Sequence, residues 1–199
     1  MSTPARPSGA KPLRADARRN RERLLDVALR AFSQDGPDVT LDAIAKEAGV
    51  GIGTLYRHFP TREALIEAVY RNELAKLCDA AAELAGEMPP DVAMRTWMDR
   101  FVDYLATKRG MADALRAVIA SGANPYAHSR DRLLGAIGTL LDAGGAAGTL
   151  RRDVAAEDVL TGMNGICLAT GGPEQREQAG RLLDLLMDGL RRRAPGADA

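Results

Sequence analysis

Five side chains between residues 40 and 62 are of the types that bind the phosphates of a polyanion. Hydroxyl, imidazole and guanidinium groups donate readily to phosphate oxygens. The residues that carry them here are Thr40, Thr54, Tyr56, His58 and Arg62. Tyr56 and His58 also have a simpler interpretation, as residues that pack between helices.

The elements that must position these residues are two short helices joined at a glycine. Thr40 can cap the first helix, whose buried stripe is formed by Leu41, Ile44, Ala45 and Ala48. Gly49 permits the positive φ of a tight interhelical turn. The second helix carries residues 54 to 58 and ends at Pro60, with Val50, Leu55 and Phe59 on its rear face. This is the layout of a helix-turn-helix, whose second helix is slim enough to enter a DNA major groove.

Apolar residues recur at helical spacing from Asp16 almost to the end of the chain, and no stretch keeps the period of two that strands require. The first helix should run from about Asp16 to Asp35, before the stop signal Gly36-Pro37. Thr61 can cap a long fourth helix. Five more helices are expected after Pro89-Pro90, after Gly110, from Asn124-Pro125, over 156–170 and over 173–193, with residues 144–149 as a loop. The sequence therefore predicts an all-α chain of about nine helices.

Charge is distributed unevenly along the 199 residues. Lys and Arg number 27, as do Asp and Glu, so the net charge gives no general attraction to nucleic acid. Residues 1 to 23, however, contain seven basic residues and only two acidic ones. This segment either approaches a DNA backbone or forms a solvated leader.

Several classes of protein are disfavoured by what the sequence lacks. No segment approaches the ~20 apolar residues that span a bilayer, and no signal-like apolar run follows the N-terminal charges, so we expect a cytoplasmic protein without membrane contact. Cys78 and Cys167 have no metal-ligand spacing, which predicts two buried thiols and neither metal, disulfide nor cofactor. The absence of a nucleophile–base pair, paired carboxylates or a phosphate loop argues against an enzyme.

The run from Thr40 to Val50, followed by Gly53 to Phe59, resembles the DNA-binding signature of the TetR/AcrR family of regulators. The similarity covers roughly residues 20 to 66. It implies an all-helical dimer with a three-helix DNA-binding domain and a larger C-terminal domain that binds a small effector. The corresponding boundaries are a disordered leader at 1–15, the DNA-binding domain at 16–60, the effector-binding and dimerisation domain at 61–193 and a disordered tail at 194–199.

The resemblance also assigns roles along the second short helix. Ile52, Gly53, Thr54 and Arg57, with His58 as a further candidate, would lie near base edges. Tyr56, His58, Thr40 and Arg62 would lie near phosphates. Arg57 is the best candidate for reading a base, because its fork can bond two guanine acceptors at once, although it could reach a phosphate instead. Gly51 departs from the family pattern, since many members carry a capping Ser there, and the first turn is then looser or capped by water.

The second domain contains candidates for an effector site. They are Trp97, Phe101, Tyr104, Met111, Leu115, Tyr126, Met163 and Cys167. At helical spacing such residues most often form simple core. The resemblance favours an apolar cavity with Met and aromatic walls, which would take a small apolar or amphipathic effector.

The last two helices combine small residues with a leucine ridge. The small residues are Gly162, Gly165 and Ala169, and the ridge is Leu182, Leu186 and Leu190. In the family this helix pair generally makes the dimer interface, and the alternative is ordinary core within one chain.

These features predict a sequence-specific transcriptional regulator that binds double-stranded DNA. By the family's usual mode it would be a repressor, released from a palindromic operator when an effector binds. The alternative, from another class, is an architectural DNA-binding protein without an effector, which would discriminate weakly between sequences and respond mainly to salt.

Overall fold

The computed structural model describes residues 10–34 and 38–192, and these ranges contain nine α-helices. They are α1 (Ala10–Gln34), α2 (Leu41–Glu47), α3 (Ile52–His58), α4 (Arg62–Glu87), α5 (Pro90–Gly110), α6 (Ala112–Ala120), α7 (Ser129–Ala147), α8 (Ala156–Ala169) and α9 (Arg176–Leu190). A 3₁₀ turn over Pro173–Gln175 precedes α9, and an antiparallel bridge joins Leu150 to Arg191. The all-α fold is confirmed.

Contacts divide the described chain into two compact units. The first contains the residues up to Tyr70 together with Gly110–Ala123, and the second contains Arg71–Arg109 and the residues from Asn124 onward. The long helix α4 therefore contributes to both units, and α6 belongs to the first. The domain boundaries inferred from the sequence remain a prediction.

The core of the first unit is built from α1, α2, α3 and the start of α4. Its largest fully buried side chains are Leu24, Leu25, Phe32, Ile44, Leu55, Leu65 and Ile66. Arg62, at the start of α4, lies with its guanidinium carbon 5.0 Å from the centre of the Phe32 ring and donates a hydrogen bond to the Val39 carbonyl. This side chain therefore ties α1 and the segment before α2 to α4.

The first helix starts earlier than the sequence suggested. It begins at Ala10 rather than near Asp16. Pro12 falls within the first turn, where its missing N–H costs no helical hydrogen bond, so it does not prevent the earlier start. Positions 10–15 of the expected disordered leader are thus helical, and the rest of that leader, the Gly36-Pro37 stop and the tail at 194–199 lie outside the described residues.

The second unit is centred on α5, whose buried face carries Met94, Trp97, Met98 and Phe101. The indole N–H of Trp97 donates to the Leu77 carbonyl of α4 over 2.8 Å. On the opposite side, α5 is joined to α9 by charge pairs. Arg176 bonds Asp99 at 3.1 Å and Asp103 at 3.2 Å, and Arg95 bonds Asp184 at 2.6 Å.

Three expectations for the C-terminal half are wrong. Asn124 does not cap α7, because its Oδ1 accepts from the Tyr126 N–H at 3.0 Å in a local turn, and the helix begins at Ser129. The loop expected at residues 144–149 is mostly helix, since α7 continues to Ala147 and Gly148 caps it at φ 73°. The last helix is not continuous from Pro173, because the 3₁₀ turn comes first.

In the described part of the chain, no helix is long and apolar enough to cross a membrane. Among the same residues, no group of three or more His, Cys, Asp or Glu side chains is arranged to hold a metal ion. Cys167 is buried as expected, whereas Cys78 is only half-buried.

Candidate nucleic-acid interface

Local interactions fix both ends of α2. At its start, the Thr40 hydroxyl accepts the Ala43 N–H at 3.2 Å and so caps α2. At its end, Gly49 takes φ 65°, the Val50 N–H bonds the Ala45 carbonyl at 3.0 Å, and the Gly49 N–H bonds the Lys46 carbonyl at 3.1 Å. These are the two bonds of a Schellman motif, which turns the chain sharply into α3.

The two faces of α3 have opposite characters. Leu55 and the following Phe59 are buried at 0% and 3% exposure, and they attach the helix to the core of the first unit. Tyr56 is 49% exposed, and Gly53 and Arg57 are exposed beside it. The solvent-facing side of α3 therefore carries hydrogen-bonding groups, while its opposite side is apolar and holds the helix against the core.

The first turn of α3 has no side-chain cap. Gly51 occupies the N-cap position in an extended conformation, at φ −69° and ψ 144°. Its carbonyl accepts from the N–H groups of Thr54 and Leu55, but it offers no side chain to the free N–H groups of the first turn. The departure noted in the sequence thus leaves these N–H groups available to solvent or to a ligand.

The four remaining interface candidates are all half-buried. Ile52, Thr54 and His58 are half-buried, and the His58 ring lies 6.1 Å from that of Phe59. Arg62 is also half-buried, in the packing contacts described above. Its assignment to phosphate binding therefore has less support from its surroundings than that of Tyr56.

One residue of the basic N-terminal segment makes a contact with α3 that was not predicted from the sequence. Arg21 of α1 lies with its guanidinium carbon 5.6 Å from the centre of the Phe59 ring, at the C-terminal end of α3. The available signal was its place four residues before the buried Leu25, which puts both on one side of a helix. A basic residue of α1 is thus adjacent to the candidate interface.

The residues expected around an effector are mainly packed core. Trp97, Phe101 and Met163 are 0% exposed, and the Trp97 and Phe101 rings stack with centres 5.9 Å apart. Like these three residues, Tyr104 and Cys167 are buried in the second unit, whereas Tyr126 of the same unit is half-buried. The two remaining candidates, Met111 and Leu115, are buried in the first unit instead.

A cleft of about 350 Å³ lies at the surface of the second unit. It is lined by Val102, Ala106, Arg109, Thr170, Gly171, Gly172 and Arg176. Arg109 donates to the Cys167 carbonyl at 3.1 Å. Burial raises the pKa of the Cys167 thiol, although the nearby Arg109 and Arg176 charges act in the opposite direction.

Lys108 lies in the same unit and faces an aromatic ring. Its Nζ atom is 4.3 Å from the centre of the Tyr126 ring. Burial lowers the pKa of this amine, because the charged form loses solvation. The Tyr126 candidate therefore has a cationic neighbour, 18 residues earlier in the chain, that sequence spacing does not reveal.

Comparisons with known proteins find matches in both halves of the chain. Residues 24–69 match the family model of bacterial regulatory proteins of the tetR family, and residues 89–192 match the model of the SbtR-like transcriptional regulator C-terminal domain. HTH-type transcriptional regulators of Staphylococcus aureus are 40% identical over 63 residues, which are 31% of this chain. The matched residues span only 34% of the length of those curated relatives.

Two solved structures match most of the chain. A TetR transcriptional regulator from Streptomyces coelicolor is 55% identical over 87% of this chain and 99% of its own, with a TM-score of 0.82. A TetR transcription regulatory protein from Mycobacterium vanbaalenii is 35% identical over 91% of this chain and 100% of its own, with a TM-score of 0.75. The resemblance carried by the Thr40–Phe59 run is confirmed, and the chain belongs to the TetR family of helix-turn-helix transcriptional regulators.

Proposed function

We propose that this regulator is a homodimer whose two α3 helices read the halves of a palindromic operator, and that it represses transcription until a small effector releases it. The observation that carries the proposal is the division of α3. Leu55 is fully buried behind the helix, while Tyr56 is 49% exposed in front of it. A short helix anchored in this way can enter a major groove without disturbing the core.

Within this proposal the candidate residues have separate tasks. Arg57 reads a base with Thr54 beside it, and Ile52 and Gly53 lie close enough to base edges to contribute shape. Tyr56, His58, Thr40 and Arg62 contact phosphates and fix the register of the helix on the duplex. The Thr40 hydroxyl accepts the capping bond from Ala43, and it retains a proton to donate to a phosphate oxygen.

The proposed dimer forms through α8 and α9. Leu168 on α8 is 87% exposed and Leu185 on α9 is 67% exposed, which is unusual for large apolar residues and fits a surface covered by a second copy. The small residues Gly165 and Ala169 are exposed on the same helix. Leu190 of the expected ridge is buried within its own chain, so the proposed interface relies on the earlier turns of α9.

The effector is proposed to enter the C-terminal domain, for which we keep the boundaries 61–193, with DNA binding assigned to 16–60. Most of the residues proposed to contact the effector, such as Trp97, Phe101 and Met163, are tightly packed. A ligand must therefore displace side chains rather than fill an existing void. Buried Met94, Met98 and Met163 support such repacking, because unbranched thioether side chains adapt to new shapes. Because the target is a chromosomal operator, we place this activity in the cytoplasm.

The test is selection of bound duplexes from a random DNA pool by the purified full-length protein. The proposal expects a palindrome whose half-sites lie about one helical turn apart, ~34–36 Å. Enrichment of no sequence, with affinity governed by salt alone, would support the architectural alternative instead. Operator affinity measured with a broad set of apolar and amphipathic compounds then tests release, and unchanged affinity throughout would count against an effector.

A further inference from the structure

The surface cleft of the second unit combines two guanidinium groups with apolar side chains. Its volume of about 350 Å³ is in the range of small-molecule sites in proteins. Three of its lining residues come from the last turns of α5, three from the segment that ends α8, and one from the start of α9. They are Val102, Ala106 and Arg109, then Thr170, Gly171 and Gly172, and finally Arg176.

Arg109 contributes a guanidinium that pairs with no carboxylate among the described residues. Its side chain is exposed, and its Nη1 atom donates to the Cys167 carbonyl of α8 at 3.1 Å. This bond fixes the guanidinium at the cleft but does not use its Nε–Nη2 edge. The two parallel N–H groups of that edge match the two oxygens of a carboxylate.

Arg176 contributes a donor rather than net charge. Its Nε atom donates to Asp103 at 3.2 Å and its Nη2 atom donates to Asp99 at 3.1 Å. These two carboxylates offset its charge, but neither bond uses Nη1, whose N–H groups remain able to donate. The positive charge of the lining therefore comes mainly from Arg109.

The rest of the lining offers apolar surface. The hydroxyl of Thr170 donates to the Ile166 carbonyl at 2.7 Å, so its proton is already used. Val102 and Ala106 present only methyl groups, and the two glycines add no side chain. A ligand that uses the whole cleft therefore has an anionic end and an apolar body.

We propose that this cleft binds a small amphipathic carboxylate, whose anionic end pairs with Arg109 and whose apolar body lies along Val102 and Ala106. Arg176 donates a further bond to the same carboxylate. The inference rests on the proposed function, which it deepens by naming the chemical class of the effector. Charge complementarity excludes a cation, and a charge-assisted bidentate pair is stronger than the bonds of a neutral ligand.

The position of the cleft connects its occupant to the proposed dimer interface. Leu168, 87% exposed, lies two residues before Thr170 of the cleft. Arg176 begins α9, on which Leu185 is 67% exposed. A ligand that binds Arg109 and Arg176 together therefore acts on the segment that joins the two helices of that interface, and it favours one arrangement of them.

Calorimetric titration of the full-length protein without DNA tests the site. The probes are the straight-chain carboxylates from butyrate to decanoate, each compared with the alcohol of the same length at neutral pH and low salt. A carboxylate should bind at least about tenfold more tightly than its alcohol. Equal affinity for the two series, or no binding of any carboxylate, would overturn the proposal.

Arg109→Gln and Arg130→Gln are matched variants, because each removes one exposed arginine of the second unit and only Arg109 lines the cleft. Arg109→Gln should weaken carboxylate binding by about tenfold or more and leave alcohol binding unchanged, which also shows that the protein is folded. Arg109→Lys keeps the charge without the fork and should give an intermediate affinity. Equal carboxylate affinity in the Arg109→Gln and Arg130→Gln proteins contradicts the assignment.

Glu174→Gln tests the charge of the site in the opposite direction. The Glu174 carboxylate lies against Gly172, beside the cleft, and repels a bound anion. Its removal should tighten carboxylate binding by about two- to fivefold at low salt. A misfolded protein cannot imitate this gain, and weaker binding would argue that no anion occupies the cleft.

Measurement without DNA keeps the failure of the site distinct from the failure of the proposed function. Carboxylate binding that depends on Arg109 but leaves operator affinity unchanged defeats effector release and not the site. Operator release that is equal in the wild type and in Arg109→Gln defeats the site as the effector site and leaves the proposed function intact.

Discussion

The Nη2 atom of Arg57 donates a 3.1 Å hydrogen bond to Oγ1 of Thr54, one turn earlier on α3. Nε of the same side chain donates to the Gly53 carbonyl at 3.2 Å. The guanidinium is therefore held along the outer surface of the helix in the absence of DNA. Reading a base exchanges these bonds for new ones, so the net gain is smaller than that of the new contacts alone.

Arg57→Ala should relax specificity at one position in each half-site. A bidentate contact to guanine discriminates by about 1–3 kcal/mol, and this preference disappears with the guanidinium. Repeating the selection from a random pool with the variant measures the loss directly. Arg116→Ala is the matched control, because it removes an exposed arginine of the first unit that pairs with Asp113 on α6. Equal weakening on all sequences would instead assign Arg57 to a phosphate.

Leu168→Glu should convert the protein to a monomer without unfolding it. The side chain is 87% exposed in the single chain, so the substitution costs the fold little, but two copies would bury a pair of charges. Sedimentation velocity measures the change in mass. Val92→Glu, at a position 47% exposed on α5, is the control and should stay dimeric. A dimeric Leu168→Glu protein would place the interface elsewhere.

Asp153 should titrate well below an ordinary aspartate. A hydrogen-bonded pair with Arg151, at 2.7 and 2.6 Å, lowers the pKa of its carboxyl from 3.8 to about 2. A lowered folded-state pKa stabilises the fold above the ordinary value, and this contribution is lost as pH falls from about 4 through 2. Carbon-detected NMR titration of the carboxyl measures the pKa. In Arg151→Gln it should return toward 3.8, and a wild-type value already near 3.8 would contradict the pairing.

The helix-turn-helix was the most predictable part of the molecule, because local signals specify it. A hydroxyl before a helix and a glycine after it act within a few residues, so Thr40 and Gly49 could be interpreted without knowing the rest of the fold. The C-terminal end of α3 follows from Pro60 in the same way, although the helix begins at Ile52, two residues before the expected Thr54. The contact between Arg21 and Phe59, by contrast, joins residues distant in sequence and required the packed structure.

The effector candidates were harder to place, because apolar spacing identifies a buried face but not what it is buried against. Met111 and Trp97 have the same signal in the sequence, yet they belong to different units. The prediction that Asn124 starts α7 was wrong for a related reason, because an Asn side chain accepts a hydrogen bond in a local turn as readily as at the start of a helix. Gly144 was misassigned to a loop because the sequence does not show that the nearby Leu150 side chain packs against this helical glycine.

Gly144→Ala should destabilise the protein although the residue is helical. A Cβ atom there would overlap Cδ1 and Cγ of Leu150 and lie 2.8 Å from its Cβ, and Leu150 is only 1% exposed. Overpacking of this kind costs about 1–3 kcal/mol. Gly138→Ala, on the same helix with open space at the Cβ position, should stabilise by about 0.5–1 kcal/mol through the better helix propensity of alanine.

Urea unfolding of both variants measures these opposite signs. Leu150→Ala tests whether Leu150 causes the clash, because it removes the side chain that the new methyl group would meet. Combined with Gly144→Ala it should cost less than the two single changes added together, since the clash and the cavity relieve each other. Strict additivity, or stabilisation by both alanines alone, would mean that Gly144 serves only as an ordinary helix position and that Leu150 packs elsewhere.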